Sequence, residues 1–402
     1  MQVSAQCLSE VKKLNTKETD NKYIAHTYKR YDLCIEKGKG SILFDDTGKK
    51  YIDFGSGIAV NTFGVCDETW QNAVKDQLSK IAHTSNYYYT KPCAELAKLI
   101  CEKTGMKKVF FSNSGAEANE CAIKCARKYG TDKNESKNVI ITLKNSFHGR
   151  TVTTLSATGQ DVFHKNFTPF TEGFVYVEAN NVNELKNAVN ENVCAVMIEV
   201  IQGEGGVNVL SDEFLAEVEK ITTENDILLI TDEVQTGNGR CANYYAYQNH
   251  NLTPDIVTTA KGLGGGLPIG ATIFNEKTEN VMSYGNHGST FGGNPVACAG
   301  AISIFSRLNE KLFKSIKEKS SYIKDYLLKI KGVKDVFGEG FMIGVKTDKN
   351  ASQIAAKCLE NGLLILTAKE NLRMLLPLNI TYDEINEGLN ILKGVIENET
   401  FA

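Results

Sequence analysis

Short apolar runs rich in β-branched residues recur through the middle of the chain. They are Val109–Phe111, Val139–Leu143, Phe174–Val177, Ala195–Ile201, Ile227–Ile230, Asp255–Thr259 and Ala271–Phe274. Runs of this length and near-continuous apolar character read as strands covered on both faces. Between several of them lie helical patterns, such as Gly115–Lys128 and Ser211–Glu224. Strand–helix alternation of this kind predicts a mostly parallel α/β sheet. The pattern then changes. Ala301–Leu328 reads as helical, Val333–Phe337 and Met342–Val345 as a short antiparallel sheet, and Ser352–Asn361 and Tyr382–Asn398 as helices. Near the start, Ile42–Phe54 reads as a hairpin turning at Asp46, Thr47 and Gly48. The chain has no internal repeat and no proline-rich linker. The expected organisation is a large α/β domain over 61–300 and a smaller α+β domain over 301–402. An N-terminal segment, 1–60, is expected to pack with the smaller one.

The 402 residues are 42% hydrophobic and 23% charged, enough apolar material for a large core. A formal net charge of -3 gives no reason to expect nucleic acid or an anionic membrane as partner. No apolar run is long enough to span a bilayer. Met1–Leu14 has neither the apolar stretch of a secretory leader nor the Arg-rich character of a mitochondrial one, so a cytoplasmic location is expected. The eleven cysteines show no CxxC spacing. Cys121 and Cys125 share a helical face with Ala118, Ala122 and Ala126, which reads as small apolar packing rather than a metal site.

Three segments at predicted strand ends carry chemistry, where open α/β sheets bind ligands. In the first, Phe111–Glu120, a strand passes through Ser112, Asn113 and Ser114 into a helix starting at Gly115 and Ala116. Free amides at such a start favour an anion; the plainer reading is an ordinary turn with Ser114 as N-cap. In the second, Asp232 and Glu233 close an apolar strand, where an acid is costly unless a cation sits against it. In the third, Lys261 closes a strand and precedes Gly262, Gly264, Gly265 and Gly266. Lysine with a lowered pKa suits Schiff-base chemistry, and glycines allow close backbone approach to a ligand. This loop lacks both the P-loop and the G-x-G-x-x-G order.

Taken in this order, the three segments resemble the class III family of pyridoxal-5′-phosphate (PLP) aminotransferases. The likeness runs from Gly38-Lys39-Gly40 to Leu372-Arg373-Met374-Leu375-Leu376-Pro377. It implies PLP transferase fold type I, a large mostly parallel sheet domain with a smaller α+β domain. It also implies a lysine, Lys261, that holds the cofactor and moves the proton. Ser114, Gly115 and Ala116 would bind the phosphate. Phe147 would stack on the ring, Asp232 would pair with its nitrogen, Val234 would pack beneath it, and Gln235 would reach the phenolic oxygen. Thr290, beside Ser289, would reach the phosphate of a neighbouring subunit, making a homodimer with shared active sites.

Arg373 and Arg150 would each take a substrate carboxylate, with Glu204 as a gate on Arg373. Tyr28 and Ile58 would line the substrate side. Away from the resemblance, the arginines read as surface residues, Glu204 as a loop acid, Ile58 as core, and Tyr28 as an anchor of the N-terminal arm. The implied reaction passes an amino group from a small-molecule amine donor to 2-oxoglutarate. Within the family the chain most resembles members that act on N-acetylornithine; ornithine and other ω-amines are the alternatives. The Gly64-Val65-Cys66-Asp67-Glu68 segment and Asn238 depart from the usual family pattern, which bears on substrate choice.

Overall fold

The computed structural model describes residues 15–398. Met1–Leu14, on which the expectation of no leader rests, lies outside them. The central sheet has seven strands. Their spatial order is Lys108–Ser112, Gly270–Phe274, Ile256–Thr259, Leu228–Asp232, Val193–Ile198, Val139–Leu143 and Phe174–Val177. From Ile256–Thr259 to Phe174–Val177 every pair is parallel. Gly270–Phe274 alone runs against both neighbours. The middle strands are buried along their whole length, which explains why their apolar runs do not alternate.

Helix Gly115–Thr131 lies across one face of this sheet. Its buried side includes Ala118, Cys121, Ala122, Cys125 and Ala126 alongside Asn119, Ile123 and Gly130. The small side chains among them let helix and sheet approach closely. The hydroxyl of Thr272 reaches the carbonyl of Ala118 at 2.8 Å. The ten cysteines among the described residues are all free, and no metal-binding cluster occurs among those residues. None of the described helices is long and apolar enough to cross a membrane.

Two expected elements are broken. The run Ala195–Ile201 is not one strand. The sheet strand ends at Ile198, and Ile201–Gln202 pairs instead with Asn208–Val209. The break falls at Glu199, whose carboxylate turns to accept from the amides of Phe147 and Gly203. The helical stretch Ala301–Leu328 is two helices, Pro295–Phe305 and Glu310–Leu327. Asn309 starts the second by accepting from the amide of Leu312 at 3.1 Å.

The N-terminal hairpin forms as expected and gains a third strand, Ile35–Lys39. Its strand Lys50–Asp53 also pairs in parallel with Leu363–Leu364, far along the chain. A second antiparallel sheet orders Val333–Glu339, Met342–Thr347, Asn371–Met374 and Leu366–Ala368. It carries Arg373 toward the end of the central sheet.

Candidate active site

Asp232 is the last residue of its strand and pairs in register with Thr258 on the adjacent parallel strand. Three residues beyond Thr258, Lys261 begins the turn into the glycine loop. The two side chains therefore leave neighbouring strands at the same edge and line one cavity of about 410 Å³. Lys261 has φ +43°, a left-handed conformation uncommon outside glycine. Burial pushes its ammonium below the ordinary lysine pKa, and the charges of Glu204 and Asp232 only partly oppose this.

Asp232 is buried and fully organised. Its Oδ1 accepts from the amide of Val234 at 3.0 Å. Its Oδ2 accepts from Nδ2 of Asn119 at 2.8 Å and lies 2.8 Å from Nδ1 of His148. Asn119 also donates to the carbonyl of His148 at 2.7 Å and accepts from Thr258 at 2.6 Å. Oδ1 thus has spare acceptor capacity beside the cavity. Glu199 also lines the cavity, its carboxyl pushed up to about 7, chiefly by burial.

The start of helix Gly115–Thr131 lines the same cavity. Ser114 caps it, accepting from the amide of Glu117 at 3.2 Å. The cap and the expected anion site are therefore compatible, because the amides of Gly115 and Ala116 precede the first intrahelical bonds. A Cβ at position 115 would lie 2.7 Å from Val234, so glycine is required for Val234 to sit there. The cavity thus has an anion-binding helix start, a carboxylate with a free acceptor position and an amine. That donor set fits PLP, which carries a phosphate, a ring nitrogen and an aldehyde carbon.

Ser114, Gly115, Ala116, Phe147, Arg150, Asp232, Val234, Gln235 and Lys261 all line this cavity. Arg373 and Glu204 stand next to it, joined through Gln235. Nη1 of Arg373 donates to Glu204 at 2.6 Å, to Gln235 at 3.0 Å and to the carbonyl of Gly203 at 3.1 Å. Arg150 is solvent-exposed at the cavity rim. Ser289 accepts from Asn113, a lining residue, at 3.1 Å. Thr290 faces solvent. Tyr28 is 75% exposed, with Arg30 beside its ring, and Ile58 is 42% exposed; neither lines the cavity of the single chain.

Sequence reasoning alone misses Asn119, His148 and Glu199. Each carries a visible signal: a polar residue on a small-residue helix face, a histidine next to Phe147, and an acid within an apolar run. The pairings that give these signals meaning join residues far apart in the chain.

The class III aminotransferase family model, described as "Aminotransferase class-III", matches residues 23–396. The chain belongs to this class of PLP-dependent enzymes, and its architecture is that of fold type I. Among its relatives, the acetylornithine aminotransferase of Haemophilus ducreyi is 48% identical over 94% of this chain and 98% of its own length. That of Caldanaerobacter subterraneus is 46% identical over 95% and 99%. Among solved structures, the ornithine aminotransferase of Toxoplasma gondii superposes with a TM-score of 0.91 at 31% identity, covering 96% of each chain. The N-acetylornithine aminotransferase of Stenotrophomonas maltophilia gives 0.81 at 33%, covering 94% and 97%.

Proposed function

We propose that the enzyme transfers the δ-amino group of N-acetylornithine to 2-oxoglutarate, giving N-acetylglutamate semialdehyde and glutamate, a step of arginine biosynthesis. The observation that carries the ω-amine part of this reading is the unequal state of two arginines. Arg373 is neutralised by Glu204 at 2.6 Å, while Arg150 has no carboxylate partner among the described residues. An ω-amine with one carboxylate needs one open arginine. A dicarboxylate acceptor needs two, which Glu204 provides by swinging away from Arg373. The full-length relatives named for acetylornithine support the same donor.

PLP bound in the cavity supplies an electron sink that makes the proton on the amine-bearing carbon acidic. Asp232 keeps the ring nitrogen protonated, and Asn119 and His148 hold Asp232 in place. Ser114, Gly115 and Ala116 bind the phosphate, Phe147 and Val234 confine the ring, and Gln235 orients its phenolic oxygen. Lys261 would hold the cofactor and move the proton at the amine-bearing substrate carbon; its depressed pKa suits an amine that must be neutral to do so. Ile58 and Tyr28 border the substrate. Thr290, exposed beside Ser289, serves the phosphate of a partner copy in a cytoplasmic homodimer. Residues 61–300 act as the cofactor domain, with 1–60 and 301–402 as the smaller unit; the Lys50–Asp53 pairing with Leu363–Leu364 supports that grouping.

The test is spectroscopic. N-acetylornithine should abolish the visible band of the lysine-attached cofactor, and 2-oxoglutarate should restore it. The second reading, ornithine as donor, is favoured by the likeness to the Toxoplasma gondii enzyme. A panel of N-acetylornithine, ornithine, N-succinylornithine and 4-aminobutyrate decides between them. A protein whose band responds to none of these overturns both readings.

A further inference from the structure

Arg150 differs from Arg373 in how it is held. Arg373 spends its donors on Glu204, Gln235 and Gly203. Arg150 is in contact with aromatic rings: its guanidinium carbon sits 4.0 Å from the ring centre of Phe163 and 5.4 Å from that of Phe147. Phe163 and Phe147 also meet edge to face, with centres 5.8 Å apart. The short helix Asp161–His164 that carries Phe163 is tied to the Arg150 loop. Gln160, its N-cap residue, donates to the carbonyl of Ser146 at 3.0 Å. His164 lies 2.9 Å from the carbonyl of Leu155.

We infer that Phe163 is the positioning residue that sets Arg150 for recognition of the distal substrate carboxylate. This rests on the reading of Arg150 as a carboxylate-binding arginine. A guanidinium over an aromatic face keeps its in-plane N–H groups free, and the ring removes water from one side without competing for those donors. A salt bridge would have occupied the fork; a ring contact restrains it and leaves it open. Because Phe163 also abuts Phe147, it fixes the spacing between the cofactor ring and the carboxylate it must accommodate. The chain length of the preferred substrate thus depends on a residue outside the cavity lining.

The experiment uses the holoenzyme and glutarate, a five-carbon dicarboxylate with no keto group to react. Calorimetric titration of Phe163→Leu should show a dissociation constant about 3- to 30-fold weaker than the parent. Phe163→Tyr, which keeps the aromatic face, should stay within about twofold. In turnover, the Leu variant should lose through KM for 2-oxoglutarate rather than through kcat. Parental glutarate affinity in Phe163→Leu overturns the inference, and so does a Tyr variant as weak as the Leu variant. Arg150→Gln separates the levels. If it leaves glutarate binding intact, the reading of Arg150 itself is wrong. If it weakens binding while Phe163→Leu does not, only the role of Phe163 falls.

Discussion

His148 and Asp232 meet at 2.8 Å, Nδ1 to Oδ2, at a place closed to solvent, while Nε2 of His148 is buried without a hydrogen-bond partner among the described residues. An ionised Asp232 can only accept, so Nδ1 of His148 carries the proton between them. Burial works against a charged imidazole. The bond and charge of Asp232, with the charge of Glu199, outweigh it, so His148 titrates above its ordinary 6.5. A raised pKa in the folded state contributes stability in full below that ordinary value, and loses it as pH rises through the raised one. His148→Phe should therefore flatten the fall in Tm on the alkaline side. It should also lower kcat about ten- to hundredfold, the effect of removing one hydrogen bond to a buried charge. A Tm profile of the same shape in variant and parent would show that the pair does not couple to pH.

Lys261→Ala should keep PLP and lose turnover. The helix start at Gly115 and Ala116 and the carboxylate of Asp232 remain, so the cofactor should copurify. Without the amine it cannot be fixed to the chain. Borohydride reduction followed by intact mass measurement should add the cofactor to the parent and not to the variant. The rate should fall at least about a hundredfold, within the range for loss of a proton-transferring group. A variant retaining a tenth of parental turnover would take the proton transfer away from Lys261.

Chain-local signals make part of this site legible in the sequence. Asp232 closes an apolar strand, Lys261 follows the end of one by two residues, and Gly115 opens a helix after a strand. Cues of that kind place a residue at a sheet edge. The sheet itself is equally visible, because strands buried on both faces leave unbroken apolar runs. The remainder depends on distant partners. Asn119 bonds Asp232 across 113 positions, and Arg373 bonds Glu204 across 169. No spacing in the sequence carries those pairings. The break at Glu199 is hidden for the same reason: its carboxylate serves Phe147, on a different loop, so an acid that reads as one polar interruption of a strand ends it.

Glu204 sits between two opposing influences. Burial raises its pKa, but Arg373 beside it lowers it further, so the carboxylate ionises below its ordinary 4.5. The stabilising pair is then complete above that range and fails only as pH drops through the lowered value. Donor KM should accordingly stay level from about pH 8 to pH 5 as far as Glu204 governs it. Glu204→Gln removes the charge that occupies Arg373. Glutarate should then bind roughly tenfold tighter and N-acetylornithine less well, since a free Arg373 favours a second carboxylate the donor lacks. Equal losses for both ligands would mean that Glu204 is structural and not a gate.

Ile58 stands on a strained turn. Ser56, Gly57, Ile58 and Ala59 take φ of 47°, 60°, 63° and 62°, a left-handed sequence that a β-branched residue rarely enters. Asp53 holds the entry by accepting from the amides of Gly55 at 2.8 Å and Ser56 at 2.9 Å. The strain at Ile58 costs about 1–2 kcal/mol, yet the residue remains 42% exposed, so little packing offsets it. Ile58→Gly relieves that strain while losing about 1 kcal/mol of burial and gaining a similar amount of unfolded-state entropy. The near-cancellation should leave Tm within a few degrees of the parent. A core isoleucine cut to glycine would instead lose about 3 kcal/mol or more. If the side chain is kept in this conformation to meet substrate, the same variant should raise KM for N-acetylornithine about tenfold, the scale of one apolar contact. Thermal unfolding and donor kinetics on one preparation separate the alternatives. A large fall in Tm with unchanged KM would assign Ile58 to packing, and a steady Tm with raised KM would place it at the substrate.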